Sequence, residues 1–273
     1  MAPQHAGNDH RVHLLLMTFH LDWYGGAQTV GIFMLYPRTM TSSRHQPGVN
    51  RLLAALPERD RRHFLAAGDS VPLAGGETLH HSGRLNRVYF PTSGFISLRM
   101  TVHPGASLEV GLIGNEGACG FELALGIHRS TVRAVVQGSG SALRLTAASF
   151  RHQLSASATL ARMMDRYVHV HLNQLAQLAV CTRFHVVEER LARWLLMTQD
   201  RAHSATFYLT HQLLGSILGV RRVGITKAAG TLQDRGLIEY SRGRITVLNR
   251  GGLKAASCSC YDADCSFYEK VFD

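Results

Sequence analysis

The alternation of apolar and polar positions changes character along the chain, and each change predicts a different kind of element. Arg51-Leu52-Leu53-Ala54-Ala55-Leu56 ahead of Pro57 reads as a short helix stopped by proline. From Val71 to Leu145 the apolar residues come in short β-forming runs: Arg87–Phe90, Phe95–Met100, Ser107–Ile113 and Thr131–Val136. Gly75-Gly76, Pro91–Gly94, His103–Gly105, Gly114–Gly117 and Gly138–Gly140 separate them as turns. Strands punctuated this regularly predict a compact antiparallel sandwich or barrel.

From about Ser155 to Thr182 there is neither Pro nor Gly, and the spacing becomes helical. Leu160 or Ala161, Met164, Val168, Leu172, Leu175 and Ala179 form one stripe. At about seven turns this helix exceeds the mean of about three, and a partner helix from a second copy would bury its stripe. Val186-Val187, Leu191, Trp194 and Leu195 continue as another helix, ending near Asp200.

The pattern then tightens. Leu214, Leu218, Val220, Ile225 and Ala228 are apolar at helical spacing, Gly215 is small where two helices cross, and Gly219 suits a positive-φ turn. This predicts a helix from about Thr210 to Leu218 and a second from about Arg221 to Leu232. Asp234-Arg235-Gly236 stops the second helix. Leu237–Tyr240, the basic turn Ser241–Arg244 and Ile245–Leu248 then read as a hairpin. Helix-turn-helix plus hairpin is a winged helix.

Composition sharpens the picture. The 273 residues, 45% hydrophobic and 18% charged, make a globular chain long enough for two domains. The formal net charge is +10, which favours a polyanionic partner. Residues 201–254 hold nine basic residues against two acids, an excess of seven within 54 residues. That is the electrostatic footprint of a nucleic-acid binder. Five Cys, an odd number, do not make a disulfide framework and point to a reducing cytoplasm. The most apolar region, Val12–Tyr36, is interrupted by His13, His20, Asp22, Gly25, Gly26 and Gln28, so no membrane span is expected. The region also lacks a nearby small-residue cleavage site, so secretion is not expected. Residues 1–45 read as a mobile extension, or as text upstream of a later start at Met17, Met34 or Met40.

Groove geometry assigns roles to the basic residues. Arg221 and Arg222 open the second helix, where an arginine can donate twice to a guanine edge. Val223 suits a thymine methyl. Thr226 and Lys227, one turn on, suit a base edge or a phosphate. Arg242 and Arg244 on the wing suit phosphates.

A turn-rich β domain, a long striped helix and a winged helix, in that order, resemble the Crp/Fnr family of bacterial transcription regulators. The resemblance covers about residues 46–256. It rests on Val88-Tyr89-Phe90-Pro91-Thr92-Ser93-Gly94, on Glu188-Glu189-Arg190-Leu191-Ala192-Arg193-Trp194-Leu195-Leu196, and on Leu209 through Val247. It implies an α+β chain: a cyclic-nucleotide-binding-type β-roll (double-stranded β-helix) over 46–154, a dimerisation helix over 155–182 and a winged helix-turn-helix over 183–273. It further implies a homodimer on a two-fold operator of double-stranded DNA, RNA polymerase as a further partner, and a small-molecule effector whose identity stays open.

Nucleotide-binding members of that family carry a Gly-Glu-Leu phrase and, a loop later, Arg-Ser or Arg-Thr around the cyclic phosphate. The nearest text here is Gly120-Phe121-Glu122-Leu123 and Arg129-Ser130. By resemblance Glu122 would accept from a ribose hydroxyl, and Arg129 and Ser130 would hold the phosphate. Phe121 replaces the family's glycine and the loop is shorter, so no cyclic-nucleotide cofactor is expected. Residues 1–118 hold no Cys, which argues against the oxygen-sensing members' N-terminal cluster. The spacing Cys258-x-Cys260 and Cys265 lacks paired Cys-x2-Cys knuckles, so the tail reads as free thiols and no metal site is expected. His169, His171 and His185 are expected at the surface or against a partner. No P-loop, Rossmann, H-E-x-x-H or G-x-S-x-G motif occurs, so no catalytic residue is expected. The competing readings are a regulator whose winged helix contacts protein instead of DNA, and a cyclic-nucleotide-gated regulator.

Overall fold

The computed structural model describes residues 48–103 and 106–272. The expected extension over 1–45 lies outside these residues.

Two short helices lead in, α1 (Arg51–Ala54) and α2 (Glu58–Ala66), separated by Pro57. Buried Asn50 caps α1 through its side-chain oxygen, 3.3 Å from the Leu53 N–H. Its Nδ2 donates to the carbonyls of Pro91 (3.0 Å) and Gly117 (2.8 Å), fastening the lead-in to the sheet.

The strands that follow are β1 (Asp69–Leu73), β2 (Thr78–His80), β3 (Gly83–Arg84), β4 (Arg87–His103), β5 (Ala106–Ile113), β6 (Arg129–Ser130) and β7 (Arg133–Thr146). The main sheet runs β1-β7-β4-β5, with β2 also on β7 and β3 pairing β6. All these pairs are antiparallel, and together they make the β-roll.

Two predicted turns are bends inside strands. Pro91–Gly94 lies within β4, whose register on β7 shifts between Pro91 and Ser93, Ser93 and Phe95, and Phe95 and Ile96. Gly138–Gly140 lies within β7. The physical reason is close backbone approach. A Cβ at Gly94 would stand 2.4 Å from the Gly138 carbonyl oxygen, and one at Gly140 would stand 2.2 Å from that of Ser93. Glycine lets the paired strands bend together without ending the ladder. Inside the roll, Phe64, Phe90 and Phe150 meet with ring centroids 5.1 to 6.4 Å apart.

The predicted long helix is present, starting three residues later than expected, and a separate helix that the sequence reading did not anticipate precedes it. α3 (Ala147–Ala156) ends before Ser157, and α4 (Ala158–Phe184) begins after it. The Ser157 Oγ accepts from the Leu160 N–H at 3.1 Å and so caps α4. The predicted stripe divides. Leu160 and Met164, with Met163 and Tyr167, are buried in this chain's own roll, and Val170 is also buried. Leu172 and Ala179 are exposed, with Val168 and Leu175 half-buried between them.

The C-terminal part contains α5 (Val187–Ala202), β8 (Thr206–Tyr208), α6 (His211–Leu218), α7 (Arg222–Asp234), β9 (Ile238–Ser241), β10 (Arg244–Val247), α8 (Arg250–Ala256) and α9 (Cys260–Phe272). Its sheet runs β8-β10-β9. Helix α5 ties this part to the roll. Trp194 Nε1 donates to Glu109 on β5 at 2.7 Å, and Arg201 pairs with Glu116 at 2.8 Å. No helix among the described residues is long and apolar enough to cross a membrane.

Candidate nucleic-acid interface and effector pocket

Helix α7 is built from its buried face outward. Leu214, Ile217, Leu218, Ile225, Ala228, Ala229 and Leu232 close the core between α6 and α7 with Leu191 and Leu195 of α5. Thr210 caps α6, its Oγ1 accepting from the Leu213 N–H at 3.2 Å. Gly219 ends α6 at φ 65, and a Cβ at Gly215 would lie 2.9 Å from the Val220 carbonyl oxygen. These two glycines permit the tight turn between the helices. The buried Arg190 guanidinium donates to the Leu218 carbonyl and satisfies the end of α6.

This packing turns the opposite face of α7 to solvent. Arg221 is the N-cap, and Arg222, Val223, Thr226 and Lys227 are exposed, Val223 to 72%. The N-terminus of α7 therefore carries two exposed arginines, an arrangement suited to phosphate or a base edge.

The hydroxyl of Thr226 is already engaged. It donates to the Arg222 carbonyl at 3.1 Å and lies 3.0 Å from His211 Nδ1. The His211 ring stacks on Tyr240 of β9 at 4.1 Å. Burial, then the charge of Arg222, lowers the pKa of His211. A neutral ring with its proton on Nδ1 fits this arrangement, and Nε2 is buried without a partner. Thr226 thus braces α7 against α6 and the wing. Sequence reasoning missed this brace, because His211 and Tyr240 carry no motif.

On the wing, Arg242 (φ 49) and Gly243 (φ 81) form the two-residue connection between β9 and β10. Two positive φ values make the primed turn that matches strand twist. Arg242 and Arg244 are exposed. Strand β8, which the sequence reading did not anticipate, pairs with β10 from Arg244↔Tyr208 to Thr246↔Thr206 and stiffens the wing.

Ion pairing sorts the nine basic residues of this region. Arg201 pairs with Glu116, Arg235 with Glu188, Arg250 with Asp200 and Lys254 with Asp262. Arg221, Arg222, Lys227, Arg242 and Arg244 have no ion-pair partner among the described residues.

In the roll, Phe121–Leu125 forms a 3-10 helix entered through Gly120 at φ 88. Its Phe121 ring turns inward against Tyr167 and His171 of α4, with centroids 5.8 and 4.5 Å away. His171 is therefore buried, not at the surface as expected, and burial pushes its pKa down to about 4. His169 is exposed beside the Phe267 ring. Ser130 Oγ donates to Glu122 Oε1 at 2.7 Å, while Glu122 Oε2 is buried without a partner. Arg129 points outward and lines an open pocket of about 520 Å³ with Arg84, Asn86, His128 and Arg151.

The tail cysteines are free thiols, but they are not loose at the surface. Cys258 and Cys260 are buried, and they meet Cys181 and His185 at the end of α4. Cys265 packs at the edge of the α5–α7 core.

Comparison with known proteins places these parts. Residues 189–256 match the family model of the Crp-like helix-turn-helix domain. No curated protein matches the chain in sequence. Among solved structures, FixK2 from Bradyrhizobium japonicum is similar at TM-score 0.60 and 16% identity, covering 70% of this chain and 98% of its own. A CRP/FNR-family transcriptional regulator from Thermus thermophilus is similar at TM-score 0.59 and 20% identity, covering 69% and 98%. The regulator CLP from Xanthomonas campestris, described as responsive to c-di-GMP, is similar at TM-score 0.58 and 16% identity, covering 70% and 99%.

Proposed function

We propose that this chain is a DNA-binding transcription regulator of the Crp/Fnr type, a reading supported by its Crp-like helix-turn-helix domain and its shared fold. It binds a two-fold operator as a homodimer, with α7 of each copy in the major groove. Arg221 and Arg222 reach guanine edges, Val223 a thymine methyl, and Lys227, Arg242 and Arg244 the phosphates. The observation that carries this reading is the sorting of charge. The five cations with no ion-pair partner among the described residues lie on α7 and the wing, while the other four basic residues of the region are held in ion pairs. The chain works in the cytoplasm, where its operator and RNA polymerase are. It performs no catalysis.

The second copy joins along Val168, Leu172, Leu175 and Ala179, which recur at coiled-coil spacing and are left uncovered or half-covered by the chain's own roll. The effector enters at the roll and is not a cyclic nucleotide. Two features support this: the Ser130 hydroxyl is spent on Glu122, and Phe121 anchors its segment to α4.

Two variants test the groove assignment. Arg222→Ala is expected to cost about 1–3 kcal/mol on the preferred operator and to relax sequence preference. Arg244→Ala is expected to weaken binding to all sequences and to lower the salt slope by about one. Titrations of operator and scrambled duplexes at several salt concentrations separate the two. Identical behaviour of both variants and the parent would contradict the assignment.

A further inference from the structure

The long helix and the tail converge at one point outside both the DNA-reading face and the effector pocket. Cys181 occupies the last turn of α4, and His185, four residues on, is its C-cap. Cys258 lies between α8 and α9, and Cys260 opens α9. The three thiols form a small buried cluster apart from the two large cores. Cys181 Sγ lies 3.6 Å from Cys258 Sγ, and Cys260 Sγ lies 3.4 Å from His185 Nδ1. All four donor atoms lie within 4.8 Å of one another.

We infer that Cys181, His185, Cys258 and Cys260 form a site for a single thiophilic divalent cation, zinc above all, that clamps the tail to the end of the long helix. Three sulfurs and one imidazole nitrogen are a closed donor set for tetrahedral zinc. A tetrahedron with zinc–sulfur bonds of about 2.3 Å has edges of about 3.8 Å. The two separations, 3.6 and 3.4 Å, are close to that edge, so small rotamer adjustments complete the cage. A cubane iron–sulfur cluster spreads its ligating sulfurs farther apart than these donors stand. Oxygen-preferring cations such as magnesium and calcium are excluded by the donor set.

The surroundings fit a bound ion. Gln177, one turn before Cys181 on α4, donates from Nε2 to Cys260 Sγ at 2.9 Å, an outer-shell bond that orients the sulfur. Binding releases the three thiol protons to solvent and leaves a net charge of −1 on the cation and its thiolates. Arg193 offsets that charge from α5, and its own guanidinium is held by buried Asp264 of α9. The clamp sits where α4 gives way to α5, between His185 and Val187, so it fixes the joint between the roll's long helix and the DNA-reading module.

The test is metal content of the full chain, purified without chelator from zinc-supplemented medium and measured by elemental mass spectrometry. About one zinc per chain is expected, falling to near zero in Cys181→Ser and Cys258→Ser and unchanged in Cys265→Ser. In case the cage variants fail to fold, the native chain is stripped by chelator and refilled with cobalt. Thiolate-to-metal charge transfer and the visible bands of a tetrahedral site are then expected. Four results would overturn the inference: less than a tenth of the chains carrying zinc, full retention of zinc in Cys181→Ser, iron with acid-labile sulfide, or a Cys181–Cys258 disulfide in place of the metal.

Discussion

Arg242 joins an unusual backbone conformation to a proposed binding role. Its φ of 49 is a left-handed conformation that glycine or asparagine adopts more readily. An arginine there is strained, yet the turn places its guanidinium at the tip of the wing. Arg242→Asn is expected to raise stability by about 1 kcal/mol while weakening binding to every DNA sequence. Thermal unfolding and duplex titration measured together check both halves. A variant less stable than the parent would mean that Arg242 makes folded-state contacts that outweigh the strain. At this scale sequence reading located the caps, the glycine turns and the exposed cations of α7 and the wing, because these are local signals. It did not foresee the burial of His171 or the contact of the Thr226 hydroxyl with His211, because each depends on a ring arriving from a distant element.

Among the elements, the contact between β5 and α5 carries a pH dependence. Glu109 is buried, with Oε2 accepting from Ser97 at 2.5 Å and Oε1 from Trp194. Burial pushes its pKa up to about 7, against the opposing effects of those two bonds and of Arg99 and Arg201. The folded chain therefore holds this proton more tightly than the unfolded chain does. Folding gains nothing from the difference below the unfolded value of 4.5 and becomes steadily less favourable as pH rises from there to about 7. The full penalty, about 3 kcal/mol, is present above that. Glu109→Gln is expected to remove this part of the slope. Denaturant unfolding from pH 5 to 8 checks it, and parallel pH profiles for variant and parent would contradict it. The elements themselves were unevenly legible. The two reading helices follow from periodicity and from glycine at the turn. Strand β8 is three residues long and has no period to read, and the bends in β4 and β7 mimic turns because glycine serves both purposes.

For the whole molecule, the order of the parts was legible and their long-range meetings were not. Cys181 and Cys258 stand 77 residues apart, and no spacing rule connects a helix end to a tail across a winged helix. The division of the α4 stripe is likewise a tertiary matter, since Met164 and Leu172 look equivalent until the roll covers one of them. What remains uncovered carries the proposed dimer seam. Leu172 is 59% exposed, and Leu172→Glu is expected to place a charge at the dimer seam and convert the chain to a monomer with operator affinity reduced at least about tenfold. Sedimentation of parent and variant checks this. A parent that is monomeric at micromolar concentration would contradict it.

The central claim is sequence-specific reading of DNA by α7 and the wing of a dimer. The most direct measurement is selection of duplexes from a random pool by the full chain at near-physiological salt, with and without cyclic AMP. The account predicts one two-fold symmetric motif in both conditions, with half-sites about one helical turn apart. Recovery of no motif in either condition would contradict the reading of DNA, and a motif that appears only with the nucleotide would contradict the assignment of the effector.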